Sequence, residues 1–110
     1  MMKESKFKDL TVDEFAKMAE DKQNVILDVR TAQEFEAGHI SGAMNLDVNS
    51  PDFEQKAAAL DKSKTYLVHC AAGVRSVKAC NKMVTLDFAN LYNLPGGFKA
   101  WEKAGKPVEK

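Results

Sequence analysis

Two short runs, Asn24-Val25-Ile26-Leu27-Asp28-Val29 and Thr65-Tyr66-Leu67-Val68-His69-Cys70, are nearly continuous in apolar, β-prone residues. That is the pattern of strands covered on both faces. Weaker strand signals lie at Phe7 to Leu10, Ala43 to Leu46 and Asn90 to Leu94, each bounded by turn or cap residues. Between them the apolar positions recur at helical spacing. Val12, Phe15, Met18 and Ala19 share one face behind a Thr11/Glu14 capping box, which predicts a helix over Val12 to Asp21. Thr31 to Ala37, anchored by Phe35 and ended by Gly38, predicts a short second helix. Ser50 as N-cap, Pro51 in the first turn, and Phe53, Ala57 and Leu60 as a buried stripe predict a third. Val77, Cys80, Met83 and Val84 predict a fourth, running to about Leu86. After the Pro95-Gly96-Gly97 turn, Phe98 to Lys103 predicts a last short helix, and Gly105-Lys106-Pro107 opens an extended tail.

Strands alternating with helices at this spacing imply crossover units and a mostly parallel sheet of about five strands, an α/β domain with helices on both faces. In such sheets ligands bind beyond the carboxyl ends of the strands, where Asp28 to Arg30 and Cys70 to Ser76 both fall. At 110 residues the chain is long enough for one core and too short for two, so residues 1–110 are expected to form one domain. Sixteen basic residues balance sixteen acidic ones, which leaves no basic field for a nucleic acid backbone. No apolar run is long enough for a membrane span or a signal peptide, so a cytoplasmic monomer is expected. The Met1-Met2 start is also what a mature domain freed of a leader and given a new initiator would show, in which case the compartment would be an export one.

Cys70 and Cys80 lie ten apart, without the close Cys or His pairs of a zinc site, so no metal is expected. An internal disulfide is disfavoured, with one cysteine at a strand end and the other inside the next helix. Cys80 shares an apolar stripe with Val77 and Val84 and reads as core. Cys70 is either a buried filler or a nucleophile. The segment Cys70-Ala71-Ala72-Gly73-Val74-Arg75-Ser76 suits a tight turn whose backbone N–H groups converge on one spot, and the helix behind it adds about half a positive charge there. A sulfur held at that spot ionises more readily than a free thiol. His69 is unsuited as a base for Cys70, because adjacent strand residues point to opposite faces. His39, after Gly38, is either a polar contact near the strand edge or a loop histidine satisfied by backbone. Arg75 either attracts an anion to the loop or forms a salt bridge to a carboxylate such as Asp28 or Glu34. Asp28 and Arg30 are placed to brace the loop, Phe98 and Trp101 to pack the last helix on the sheet, and Lys99, Lys103 and Lys106 to form a solvated face.

Three motifs in order carry a family resemblance. Asp28-Val29-Arg30 with Glu34-Phe35, Gly38-His39-Ile40 and Gly42-Ala43-Met44-Asn45 is one; Cys70-x-x-Gly73-x-Arg75-Ser76 is the second; Leu94-Pro95-Gly96-Gly97-Phe98-Lys99-Ala100-Trp101 is the third. On these the chain resembles a single-domain rhodanese, a thiosulfate sulfurtransferase-like protein, essentially end to end. Phosphatases of the cell-cycle type and arsenate reductases resemble it less, since their loops hold five residues between Cys and Arg and this one holds four. The resemblance implies a ping-pong transfer: Cys70 takes the outer sulfur of a donor such as thiosulfate, releases sulfite, and passes the sulfur from a persulfide to cyanide, a thiol or a protein acceptor. It implies no metal or organic cofactor. Rival readings are a persulfide relay that serves protein partners and turns over small donors poorly, and a redox domain signalling through Cys70 oxidation.

Overall fold

The structure of the protein, a computed structural model, describes residues 7–110. The Met1-Met2 start, and with it the first stretch of the expected 1–110 domain, lies outside the described residues. In chain order the elements are β1 (Lys8–Asp9), α1 (Val12–Ala19), β2 (Val25–Asp28), α2 (Ala32–Ala37), β3 (His39–Ile40), β4 (Met44–Asn45), α3 (Phe53–Ala58), β5 (Tyr66–His69), α4 (Val74–Thr85), β6 (Leu91–Asn93), α5 (Gly97–Lys103) and β7 (Val108–Glu109). Five strands form a parallel sheet in the order β1-β6-β5-β2-β4. The two apolar runs are its central pair, β2 and β5, in register from Val25↔Tyr66 to Asp28↔His69.

Side-chain alternation along these strands divides the core in two. Leu27, Val29, Tyr66, Val68 and Cys70 pack under α3 and α4 against Phe53, Ala57, Ala79, Cys80 and Met83. Ile26 and Leu67 pack under α1 and α5 against Phe15, Phe98 and Trp101. Phe15 meets the Trp101 ring edge-on at 5.9 Å, the favoured geometry for aromatic quadrupoles. Asp28 and His69, alternating with the first set, turn toward the α1/α5 side, where His69 meets Phe15 edge-on at 6.1 Å.

Local signals are realised with three differences. The Thr11/Glu14 capping box is formed, and a second one, Thr31/Glu34, starts α2. First, Ser50 does not cap α3: its hydroxyl bonds the Asp52 carboxylate, Pro51 sits in a turn, and the helix begins at Phe53. Second, the buried face of α4 is Ser76, Ala79, Cys80 and Met83, while Val77 is 38% exposed. The stripe is displaced by one position because the small Ser76 and Ala79 allow α4 to lie close on the sheet. Third, the tail is paired: β7 runs antiparallel to β3, with His39 opposite Glu109 and Ile40 opposite Val108.

Candidate functional site

Strand β5 ends at His69, and the chain turns directly into α4 through a loop that wraps the Cys70 sulfur. Gly73 N–H donates to Cys70 Sγ at 3.1 Å, and the Ser76 hydroxyl lies 3.6 Å from it. The thiol is 1% exposed. Burial pushes its pKa up, but the Ser76 hydroxyl and the backbone N–H groups of Ser76, Ala72 and Gly73 together outweigh burial and hold it below the ordinary 9.0. The N-terminus of the twelve-residue α4 acts in the same direction. Cys80, equally buried and with no such donors, is pushed up to about 12 by burial first, then by the charges of Asp9 and Cys70. Both cysteines are free.

The loop keeps this shape because the first turn of α5 holds it from outside. Phe98 N–H donates to Cys70 O at 2.7 Å and Lys99 N–H to Ala71 O at 3.2 Å. A trans peptide points its C=O and N–H in opposite directions, so carbonyls fixed outward leave the following N–H groups facing the sulfur side. The approach demands glycine at two places. Gly97, at φ +61°, would put a Cβ 2.5 Å from Ala71 O and 2.6 Å from Cys70 O. Gly73, at φ +97°, would put one into Pro95 O. The Pro95-Gly96-Gly97 segment is thus the mould of the Cys70 loop, a role that reading it as a turn did not reveal.

Arg75 is committed elsewhere. Its Nη1 and Nη2 bond Glu34 Oε1 and Oε2 at 2.7 and 3.0 Å, the fork-to-fork pairing of guanidinium and carboxylate. Of the two carboxylates expected as partners, Glu34 is the one used. The Arg75 hydrogen bonds hold the Glu34 carboxyl down at about 2, against 4.5 ordinarily, helped by Thr31 and opposed by burial. Glu34 therefore caps α2 and anchors the loop at once.

Asp28 and Arg30 are buried on the α1/α5 side of the sheet, away from the sulfur. Asp28 accepts from Arg30 Nε at 2.9 Å and Nη2 at 2.6 Å, and Arg30 Nη2 also donates to Gly38 O at 2.7 Å. The Arg30 guanidinium lies 4.3 Å over the Phe98 ring, so it reaches the loop through the residue that holds the Cys70 carbonyl. His69 Nδ1 is 3.1 Å from that same carbonyl, a contact the sequence reading did not foresee. His39 bonds Phe35 O through Nδ1 at 2.8 Å, stacks on the Phe35 ring and faces Glu109, so its contacts are with α2 and β7. Ala72 and Val74 are exposed at the mouth.

A parallel sheet with a thiol held in a ring of N–H groups at the end of its central strand defines a class of cysteine-loop α/β domains. Residues 11–104 match the Rhodanese-like domain family. The chain is 35% identical over 100 residues to the thiosulfate sulfurtransferase GlpE of Shewanella oneidensis, covering 91% of this chain and 97% of the relative. It is 35% identical over 105 residues to the protein of the same name from Pseudomonas putida strain GB-1, covering 96% and 93%. Among solved structures, a rhodanese-related protein from Thermoplasma volcanium superposes with a TM-score of 0.79 at 26% identity, covering 93% of this chain and 97% of that one. The rhodanese-like domain of an Anabaena protein gives 0.82 at 29% identity, covering 92% and 77%. The chain belongs to the rhodanese-like family, as a sulfurtransferase.

Proposed function

We propose that the protein transfers the outer sulfur of thiosulfate to a thiophilic acceptor through a persulfide on Cys70. The observation that carries this reading is the Cys70 sulfur set among the Ala72, Gly73 and Ser76 N–H groups, with its thiol pushed down in spite of burial. The thiolate attacks the outer sulfur of thiosulfate; the S–S bond to the sulfonate breaks and its electron pair leaves on sulfite. Cys70 is left as a persulfide anion, and the same donors stabilise it as they stabilised the thiolate. Cyanide then attacks the outer sulfur and leaves as thiocyanate, and the Cys70 thiolate is restored; a thiol acceptor takes the sulfur in the same way. The relatives named for thiosulfate support the choice of donor. The reading uses no metal or organic cofactor, and it assigns Asp28, Arg30 and Glu34 to holding the loop. A relay between proteins is favoured by one observation: Arg75 is engaged by Glu34, so its charge is partly neutralised before a dianionic donor arrives.

Intact-mass measurement after incubating the reduced protein with thiosulfate tests this. A gain of one sulfur, absent only in Cys70→Ser, kept in Cys80→Ser and discharged by cyanide as thiocyanate, is expected. Turnover retained in Cys70→Ser would overturn it.

A further inference from the structure

Val74 and Val77 face solvent beside the Cys70 loop, 81% and 38% exposed. With Lys78, Asn81 and Lys82 they form one stripe of α4 at spacings of three and four residues, and the stripe lines an open groove of about 630 Å3. Valine is a poor choice for an exposed helical position, because its branched Cβ loses rotamer freedom and nothing is buried in return. The core does not require these valines, since Ser76, Ala79, Cys80 and Met83 already supply the inward face. The groove begins beside the loop: Val74, one of its lining residues, follows Gly73, whose N–H donates to Cys70 Sγ. Helix α4 is one-sided in charge, although Glu54 of α3 also lines the groove. Helix α4 carries Arg75, Lys78 and Lys82 and no carboxylate, in a chain whose net charge is zero. Arg75 is held by Glu34 and Lys82 lies 3.5 Å from Glu54, but Lys78 Nζ bonds a neutral group, the Asn49 side-chain carbonyl, at 3.0 Å.

We propose that this stripe docks the sulfur acceptor, and that the acceptor is a cysteine-bearing protein segment with an apolar residue beside its cysteine and a carboxylate further along. The spacing follows from the helix: Val74 and Lys78 are four residues apart, about 6 Å of rise. Val74 and Val77 receive the apolar side chain, Lys78 the carboxylate, and the acceptor sulfur reaches the loop. The acceptor thiolate attacks the outer sulfur of the Cys70 persulfide anion, the bond to Sγ breaks, and its electron pair stays on Sγ as the thiolate. The acceptor leaves as a persulfide, with no net oxidation. This rests on the Cys70 persulfide proposed above.

The test loads the intact chain with sulfur from thiosulfate or from polysulfide and follows loss of the added mass. The acceptors are cyanide and two capped peptide thiols, one with Leu beside Cys and Glu beyond it, the other with Ser and Lys at those places; rates are taken per thiolate. The Leu/Glu peptide is expected to discharge Cys70 about tenfold faster than the Ser/Lys peptide. Val77→Ser and Lys78→Glu should each remove most of that preference while cyanide discharge stays within about twofold of wild type. Equal rates for the two peptides, or a preference that survives both substitutions, would overturn the docking surface and leave the persulfide standing. Failure of Cys70 to hold sulfur from either donor would overturn the persulfide, and the docking proposal with it.

Discussion

The backbone N–H of Phe98 lies 2.7 Å from the carbonyl oxygen of Cys70, a bond between the first turn of the C-terminal helix and the residue that opens the sulfur loop. It accounts for the third sequence motif in physical terms. The loop has small side chains and little apolar surface of its own to fix it, so its peptide planes are oriented by partners outside it, and Phe98 and Lys99 supply two of them.

Gly97→Ala tests that relationship. The new methyl would stand 2.5 Å from Ala71 O and 2.6 Å from Cys70 O, and the residue would have to keep φ +61°. A loss of about 2–4 kcal/mol in urea unfolding is expected from strain and displacement together. The Cys70 thiol pKa, read from the pH dependence of alkylation, should rise in the same variant, because displaced carbonyls carry the N–H groups away from the sulfur. An unchanged thiol in a destabilised protein would mean that α5 supports the fold without shaping the loop.

The two central strands and the crossover pattern were readable from residue order because buried parallel strands are continuous apolar runs and the helices between them repeat their apolar positions at helical spacing. The Cys70 loop was readable because a glycine-containing turn between strand and helix is itself a local pattern. What could not be read depends on distance in the chain. Cys70 and Phe98 are joined through a backbone N–H, which no side-chain pattern announces. Glu34 was visible as one of two carboxylates for Arg75 but not as the cap of α2, and only the packing of α2 beside the loop selects it over Asp28, which Arg30 already occupies. Val77 was placed inside by periodicity and lies outside because Ser76 and Ala79 set the helix phase.

The two cysteines should separate cleanly in reactivity. Since the thiolate is the reacting form, Cys70 should alkylate with a midpoint below 9.0, while Cys80, raised to about 12 and fully buried, should stay unmodified until the chain unfolds. Ser76→Ala removes the largest of the favourable contributions and should raise the Cys70 midpoint. Peptide mapping of the alkylated protein across pH checks both. Equal labelling of the two cysteines in the folded chain would refute the cradle.

The Glu34–Arg75 pair has a pH signature of definite sign. The folded carboxyl titrates near 2 and the unfolded one near 4.5, so the contribution is fully present above about 4.5 and is lost as pH falls toward 2. The pair is partly solvated, with side chains 25% and 36% exposed, which limits the contribution to about 1 kcal/mol. Glu34→Gln should lose that amount at neutral pH and converge on wild type in acid. Because the pair anchors the loop, the apparent KM for thiosulfate should rise in the same variant; a KM that falls would show that Glu34 only screens the Arg75 charge from the donor.

His69 offers a separate window. A carbonyl only accepts, so the Nδ1 atom 3.1 Å from Cys70 O carries a proton, and the neutral ring then turns its bare Nε2 toward Asp28 Oδ2 at 3.8 Å, without a hydrogen bond. Burial lowers the His69 pKa below 6.5, against the opposing pull of Asp28 and the Cys70 carbonyl. The unfolded chain therefore binds the proton first, and the native state loses stability as pH drops below 6.5, by at most about 1.4 kcal/mol per pH unit. This begins two units above the Glu34 window, since 6.5 minus 4.5 is 2.0, and unfolding measured between those values isolates it. His69→Asn keeps a donor near the Nδ1 position and His69→Leu does not. Both should flatten the slope, but only the leucine variant should also raise the Cys70 thiol pKa. If the asparagine variant keeps the wild-type slope, His69 is not the group that titrates; if the leucine variant keeps the wild-type thiol, the Phe98 bond holds the Cys70 carbonyl unaided.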